Sequence, residues 1–168
     1  IVDMLAPRAR PLAGCRVLIT AGPTREPIDP VRFISNHSSG KQGYAIAKAA
    51  VALGAETVLV SGPVSLPIPA GAQMMPVETA QEMLDTCLAE LPADIAICTA
   101  AVADWRVAER SAEKLKKAVG GPPSLSLTEN PDILATISRS QKRPAIVVGF
   151  AAETEKVLDH AAQKLRKK

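Results

Sequence analysis

Short apolar runs alternate with longer amphipathic segments along most of this chain. Runs of this kind, rich in Val, Ile and Leu, predict strands that are buried on both faces. They lie at 16–21 (RVLITA), 56–61 (ETVLVS), 94–101 (DIAICTAA) and 145–150 (AIVVGF). Apolar residues recur at helical spacing in three further segments, which are 44–53, 79–91 and the stretch from near Thr154 to the end. The pattern therefore predicts strands that alternate with helices.

Local signals mark several of these boundaries. Gly54 closes the first helix, and Thr79 with Glu82 forms a capping box at the start of the second helix. Further along, a Gly-Pro break precedes an alternating strand at 124–129 (SLSLTE), and Asn130-Pro131-Asp132 opens a short helix.

The order of elements predicts an α/β fold. We expect a Rossmann-like, doubly wound, mainly parallel sheet with helices on both faces, in which ligands bind at the carboxyl ends of the strands. Residues 1–13 are aperiodic and contain Pro and Arg, which indicates a linker before a domain at 14–168. No strand follows the final helix, so the sheet is expected to lack its C-terminal edge.

Composition narrows the function. The 168 residues are 47% hydrophobic and 22% charged, with a net charge of +3 and few aromatic residues, so nucleic-acid binding is not expected. No run of about 18 apolar residues occurs, and the start lacks the pattern of a signal peptide. We therefore expect a cytoplasmic protein without membrane insertion. The three cysteines lack metal-ligand spacing and are interpreted as small buried hydrophobes.

The polar stretch between the first strand and the first helix is the leading candidate site. It spans 22–43 (GPTREPIDPVRFISNHSSGKQG), and its last part lies near a helix N-terminus, where free N–H groups and the helix dipole favour anions such as phosphate. The residues placed there are Asn36, Ser38, Ser39 and Gly40. The alternative is a helix cap with a Gly turn, because the stretch matches neither a dinucleotide fingerprint nor a phosphate-binding loop of the Walker type.

Asn36 has a specific chemical use if the ligand is an acyl group. Its side-chain amide can donate to a developing oxyanion without carrying charge, although an Asx-turn would also account for it. A nucleophile-base pair of His37 with Ser38 is disfavoured, since adjacent residues rarely point at each other and no third orienting residue is evident.

Charged residues after the other strands could complete a phosphate site. Asp104 could receive ribose hydroxyls or help to place a Mg²⁺-bound phosphate, or it could simply cap the loop. The basic run at 114–117 (KLKK) could close over a polyphosphate, or it could be a solvated face. Lys164 and Lys168 share one face of the last helix, where the helix dipole also favours lysine.

Five motifs, taken in order, resemble the phosphopantothenate-cysteine ligase family (phosphopantothenoylcysteine synthetase). They are GPTREPIDPVRFISNHSSGKQG, TAAVADW, KLKK, ENPDI and VGFAAET. The resemblance runs from about Gly14 to the end of the chain. In bacteria the family is usually fused behind a phosphopantothenoylcysteine decarboxylase, which carries FMN, and the linker-like start agrees with such a fusion.

The resemblance implies a ligase of coenzyme A synthesis. The carboxylate of 4'-phosphopantothenate attacks the α-phosphate of CTP with the help of Mg²⁺, which gives an acyl-cytidylate and pyrophosphate. The amine of L-cysteine then displaces CMP, and the decarboxylase partner acts on the product. The family is homodimeric, and either the flap, which corresponds to the basic run at 114–117, or the Arg32 segment is expected to approach the neighbouring subunit's substrate.

The family's site residues carry over by motif. Asn36 resembles the active-site asparagine of the cysteine-dependent step, and Lys114 the flap lysine needed to form the intermediate. The substrate-binding residues would be Arg32, Asn36, Ser38, Ser39 and Gly40. The CTP site would comprise Thr99, Ala100, Asp104, Lys114, Asn130, Pro131, Asp132, Ile133, Phe150, Lys164 and Lys168. Asp104 is also the candidate metal ligand.

Two departures and two alternatives accompany this interpretation. Gln42 stands where the family has Met, and the family continues past the last helix with further strands, which leaves activity and dimerisation of this chain alone as open questions. A nicotinamide-dependent (NAD(P)) oxidoreductase is disfavoured by the missing GxGxxG pattern. A non-catalytic nucleotide-binding module is the other alternative. The choice between CTP and ATP rests on the resemblance alone.

Overall fold

The structure consists of a central sheet, flanking helices and two small ribbons. The computed structural model describes residues 9–116, 121, 123–151 and 157–167. In chain order the elements are β1 (Arg16–Ala21), β2 (Arg25–Asp29), β3 (Arg32–Ser35), α1 (Lys41–Ala52), β4 (Glu56–Ser61), β5 (Ala72–Pro76), α2 (Ala80–Ala89), β6 (Ile95–Cys98), β7 (Trp105–Val107), β8 (Leu127–Glu129), α3 (Ile133–Ser138), β9 (Ile146–Gly149) and α4 (Val157–Lys167).

The central sheet is parallel throughout. Its strands lie in the order β5-β4-β1-β6-β9, and every neighbouring pair is parallel. The chain first builds outward from β1 through β4 to β5 and then returns to the other side of β1 with β6 and β9. The strand order therefore reverses between β1 and β6, which is the switch point where such sheets bind ligands.

Helices cover both faces of this sheet. Below α1 lies the cluster Val17, Ile19, Ala21, Tyr44, Ala47, Ala50, Ala55 and Leu59. On the opposite face, α2 and α3 cover the cluster Leu18, Val58, Val60, Met83, Leu84, Cys87, Leu91, Ala96, Ile133 and Ile137. Successive strand residues point to opposite faces, so burial on both sides explains the continuous apolar runs of β1 and β4, whereas the edge strand β9 leaves Ile146 and Val148 exposed. The predicted doubly wound α/β fold is confirmed.

Several elements differ from the sequence expectation. The stretch after β1 contains an antiparallel hairpin, β2–β3, where only an irregular crossing was expected. Its strands carry charges and Pro27, so they lack an alternating apolar pattern, and the Arg25 guanidinium lies over the Phe33 ring at 4.8 Å. Neither β5 nor β7 was predicted as a strand, and α1 begins at Lys41 instead of Tyr44. The predicted start of the last helix near Thr154 lies outside the described residues.

The predicted capping box is present, whereas the predicted burial of the cysteines holds for one of the three. Thr79 Oγ1 accepts from the amide of Glu82 at 3.1 Å while the Glu82 carboxylate accepts from the Thr79 amide, which is the predicted capping box. All three cysteines are free, but only Cys87 is buried. Burial, followed by the proximity of Cys98 and Glu90, raises the pKa of the Cys87 thiol well above its usual range. Within the described segments, no helix has both the length and the apolar character needed to cross a membrane.

The first turn of α1 packs directly against the sheet at Gly43. A Cβ added at Gly43 would lie 2.5 Å from Ala21 Cβ and 2.6 Å from Thr99 Oγ1. We therefore expect Gly43→Ala to lower the free energy of unfolding by about 1–3 kcal/mol, although Ala is favoured over Gly by about 1 kcal/mol in an unconstrained helix. Urea unfolding measures this. The control is Ala45→Gly at an exposed position of the same helix, which should lower the free energy of unfolding only by the difference in helix propensity between Ala and Gly. A Gly43→Ala protein that is more stable than the wild type would contradict the close packing of Gly43 against the sheet.

Candidate active site

A cavity of about 850 Å³ opens at the carboxyl ends of β1 and β6. Its position coincides with the reversal of strand order, so it occupies the place where the topology predicts a ligand. Its lining residues come from strand ends, from the loop after β6 and from the turn before α3. They are Thr20, Asn36, His37, Cys98, Ala100, Ala101, Val102, Ala103, Asp104, Trp105, Glu129, Asn130, Pro131, Asp132, Ile133, Leu134, Phe150 and Ala151.

The loop after β1 and the loop after β6 are joined by backbone hydrogen bonds. The amide of Ala101 donates to the carbonyl of Gly22 at 2.9 Å, and the amide of Thr24 donates to the carbonyl of Ala101 at 3.3 Å. Thr24 is fully buried, and its Oγ1 accepts from the amide of Ala103 at 3.0 Å. These bonds extend the β1–β6 pairing beyond the strands, so one wall of the cavity is continuous with the sheet.

Asn36 connects the β2–β3 hairpin to this wall. Its Nδ2 donates to the carbonyl of Val102 at 2.9 Å, and the residue is exposed at the cavity. The neighbouring Ser35 Oγ donates to the carbonyl of Thr24 at 2.7 Å, which fixes the end of β3 beside the same loop. Two side-chain hydrogen bonds therefore join this segment to the loops after β1 and β6, with Asn36 at the cavity lining.

The serines near α1 also serve the helix start. Gly40, the N-cap residue, has φ 73°, and its amide lies 3.3 Å from Ser38 Oγ. The Lys41 amide lies 3.5 Å from Ser39 Oγ. Both serines thus make local turn contacts before α1, whose N-cap has no side-chain cap bond, and neither serine lines the cavity described above.

The turn before α3 forms the opposite wall. Asn130 Nδ2 donates to the carbonyl of Ala103 at 2.8 Å, and the Asn130 amide donates to the carbonyl of Asp104 at 2.9 Å. Asp132 is the N-cap of α3, where its Oδ1 accepts from the amide of Ala135 at 2.9 Å. Two hydrogen bonds therefore join this turn to the β6 loop, and the exposed Asp104 of that loop lines the cavity.

The structure brings together part of the set predicted from sequence. Eight predicted residues line the cavity, namely Asn36, Ala100, Asp104, Asn130, Pro131, Asp132, Ile133 and Phe150. Thr99 lies just behind it, because its Oγ1 donates to the carbonyl of Thr20 at 2.6 Å. Arg32 and Lys114 are not in the lining. Lys168 and the Lys164 side chain lie outside what the structure describes.

Sequence reasoning assigned no ligand role to several lining residues. Glu129 and Leu134 flank the predicted turn directly, so their proximity to it was the available signal. Trp105 is 54% exposed at the cavity, which is unusual for a large aromatic side chain that only packs. Cys98 had been interpreted as a core residue, yet it is half-buried and reaches the same space.

The comparison with known families decides the assignment. Residues 12–168 match the model of the family described as DNA/pantothenate metabolism flavoprotein C-terminal domain. The chain belongs to this family. The match covers all the loops that form the cavity, and four of the five motifs that suggested the resemblance contribute residues to its lining, whereas the described residues of the KLKK motif do not.

Relatives of this flavoprotein C-terminal domain include bifunctional proteins and solved structures. The coenzyme A biosynthesis bifunctional protein CoaBC of Vibrio vulnificus is 51% identical over 161 residues, which cover 95% of this chain. The chain spans only 40% of the length of that relative.

Two solved structures show the same fold. A crystal structure of a CoaBC C-terminal domain superposes with a TM-score of 0.81 at 45% identity, covering 94% of this chain and 74% of that one. A Cab2 mutant in complex with phosphopantothenate-cysteine gives 0.77 at 20% identity, covering 91% and 69%.

Proposed function

We propose that this chain is a phosphopantothenate-cysteine ligase, which joins 4'-phosphopantothenate to L-cysteine through an acyl-cytidylate. The observation that carries the proposal is that four of the five family motifs meet at one cavity, with Asn36, Asp104, the 130–133 turn and Phe150 on its walls. The CoaBC name of the Vibrio vulnificus relative and the ligand of the Cab2 complex agree with it.

The site suits activation of a carboxylate followed by acyl transfer. A carboxylate is a poor acyl donor, so CTP converts it to an acyl-cytidylate, and the chain has to position the reactants and stabilise charge. We assign the Asn36 amide to the acyl oxygen, where charge develops as the cysteine amine attacks. Lys114 would neutralise phosphate charge during the first step. The half-buried Ala100–Val102 segment and the Phe150 ring, which line the cavity, would receive the cytosine.

Mg²⁺ is part of the proposal. The described residues contain no group of three His, Cys, Asp or Glu side chains that could hold a metal by themselves. Mg²⁺ in nucleotide sites commonly uses one or two carboxylates together with substrate phosphates. Asp104, whose exposed carboxylate faces the cavity, fits this role, and the ion when bound would offset charge on the phosphates.

Further parts of the assignment are proposals as well. Residues 1–13 would link the ligase domain, 14–168, to an N-terminal decarboxylase carrying FMN. A homodimer is supported by exposed apolar residues on the hairpin and on the β7–β8 ribbon, which are Val31, Phe33, Trp105, Leu125 and Leu127; a monomeric mass at micromolar concentration would contradict it. The free cysteines agree with a cytoplasmic location, where thiols stay reduced.

The function is tested with the protein expressed from its complete reading frame. Incubation with CTP, Mg²⁺, 4'-phosphopantothenate and L-cysteine should release pyrophosphate and then CMP. Pyrophosphate without cysteine-dependent CMP would identify an activating enzyme only, and CTP binding without pyrophosphate would identify a non-catalytic module. No release of either product contradicts the proposal.

Nucleotide choice has a separate test. A ligand that binds only the folded state raises the melting temperature according to its affinity. We expect a larger rise with CTP than with ATP or NADH at equal concentration, measured by thermal unfolding. A larger rise with ATP would retain the ligase and reject CTP, and a rise with NADH alone would favour the oxidoreductase alternative.

A further inference from the structure

The turn between β2 and β3 holds the segment that carries Lys114. We call residues 111–116 the Lys114 segment. The amide of Leu115 donates to Asp29 Oδ2 at 3.1 Å, and Arg32 Nη2 donates to the carbonyl of Leu115 at 2.5 Å. Both polar backbone groups of the residue that follows Lys114 are therefore bound to a single turn.

A second contact lies at the start of the same segment. The amide of Ser111 donates to the carbonyl of Ile28 at 3.0 Å, and Ser111 Oγ donates to the carbonyl of Glu113 at 2.6 Å. Lys114 itself is exposed. The backbone is thus fixed on both sides of a lysine whose side chain extends into solvent.

Asp29 is the centre of these contacts. Its side chain is fully buried, and Oδ1 accepts from the amide of Val31 at 2.9 Å. Oδ2 receives the Leu115 amide and also lies 3.0 Å from Arg32 Nε. The Val31 bond forms an Asx-turn within the hairpin, while the second oxygen holds another part of the chain through the Leu115 amide.

Asp29 remains ionised at neutral pH. Burial raises the pKa of its carboxyl, but the Val31 and Leu115 amides and the Arg32 guanidinium outweigh burial, so the pKa is lowered from its ordinary value. Because the folded-state pKa of Asp29 is lowered, its contribution to the free energy of unfolding is fully present above the unfolded-state pKa of ~3.9. That contribution is lost as the pH falls through the folded-state pKa.

We propose that Asp29 is a positioning residue for Lys114, which it holds against the hairpin through the backbone of Leu115 and through Arg32. The proposal rests on the proposed ligase function for the role of Lys114. The hairpin also carries Asn36, directly after the end of β3 at Ser35. One short strand therefore separates the anchor of Lys114 from Asn36, so a single turn sets the spacing of the two proposed catalytic residues.

The test compares Asp29→Asn with Glu26→Gln. In Asn one carboxylate oxygen is replaced by NH₂, which cannot accept a hydrogen bond from the Leu115 amide and would place a second donor against the Arg32 guanidinium. Hydrogen exchange at the Leu115 amide should therefore become about tenfold faster. Tryptic cleavage after Lys114 and Lys116 should accelerate similarly. Glu26 is also a buried carboxylate on β2, but it accepts from the Ala80 amide at 3.0 Å. Its variant should leave both rates near wild type.

Kinetic measurements distinguish a positioning role of Asp29 from a purely structural one. Asp29→Asn should lower kcat for pyrophosphate release about tenfold while the KM for CTP stays within about twofold, because Lys114 would be misplaced in the transition state and not in ground-state binding. Unchanged exchange and cleavage, or equal changes in Glu26→Gln, would overturn the proposal. If the wild type releases no pyrophosphate, the ligase assignment fails, and the exchange and cleavage rates still decide whether Asp29 holds the segment.

Discussion

Replacing Lys114 by Ala should reduce pyrophosphate release by about 100- to 1000-fold, the usual effect of removing one preorganised charge or donor from a transition state. Lys114 lies outside the cavity lining, yet its backbone is anchored through Leu115 to the hairpin that carries Asn36. The proposed role requires its long side chain to extend from this anchored backbone to the phosphate oxygens. The measurement is the pre-steady-state release of pyrophosphate from CTP and 4'-phosphopantothenate.

A matched variant separates this effect from a change in general charge. Lys48→Ala makes the same substitution at an exposed position of α1, in a groove away from the proposed site, and it should retain wild-type activity within about twofold. Both variants should unfold at nearly the wild-type temperature, because both lysines are exposed. Equal losses in the two variants, or normal pyrophosphate release by Lys114→Ala, would remove Lys114 from the mechanism.

Asn36→Asp should separate the two half-reactions. The Asn36 Nδ2 donates to the carbonyl of Val102 at 2.9 Å, whereas a carboxylate would place oxygen against oxygen and add negative charge beside the acyl group. We expect pyrophosphate release to continue, while cysteine-dependent CMP formation falls by about 100-fold or more, since a donor to the oxyanion is lost. Single-turnover assays with and without L-cysteine measure the two steps.

The control for this variant lies in the same loop-helix junction. Gln42→Met changes an exposed residue of the first turn of α1 to the residue expected from the family pattern, and both half-reactions should be unaffected. If Asn36→Asp forms CMP at the wild-type rate, the proposed role of Asn36 is wrong. If it loses pyrophosphate release as well, Asn36 acts in activation and not only in acyl transfer.

The elements that could be predicted from the sequence are those that a pattern of a few neighbouring residues indicates. Continuous apolar runs identified β1, β4, β6 and β9. Strands β1 and β4 are buried on both faces and so have no polar side, whereas β9 lies at the edge of the sheet with Ile146 and Val148 exposed. The Thr79 and Glu82 pair marked the start of α2, because a capping box is also a local pattern and is complete within one helical turn. The hairpin was missed since REPID and RFIS have no alternating apolar pattern, and they form strands only by pairing with each other.

The candidate site divides in the same way. Its residue types and their places after strand ends were available from the motifs, and the parallel order predicted that these loops would share one edge of the sheet. The hydrogen bonds that shape the site join residues far apart along the chain, and such bonds leave no local pattern in the sequence. They join Asn36 to Val102, Asn130 to Ala103, and Leu115 to Asp29.

By itself, the sequence determined the alternation of strands and helices, the parallel doubly wound class and the identity of the motif residues. Only the tertiary structure decided that Asn36 and the 130–133 turn face one cavity, whereas the backbone of Leu115, which follows Lys114, is bound to Asp29. The physical reason is that side-chain periodicity is encoded over a few residues. The partners of buried polar groups, in contrast, are selected only when distant segments pack together and each such group requires a hydrogen bond.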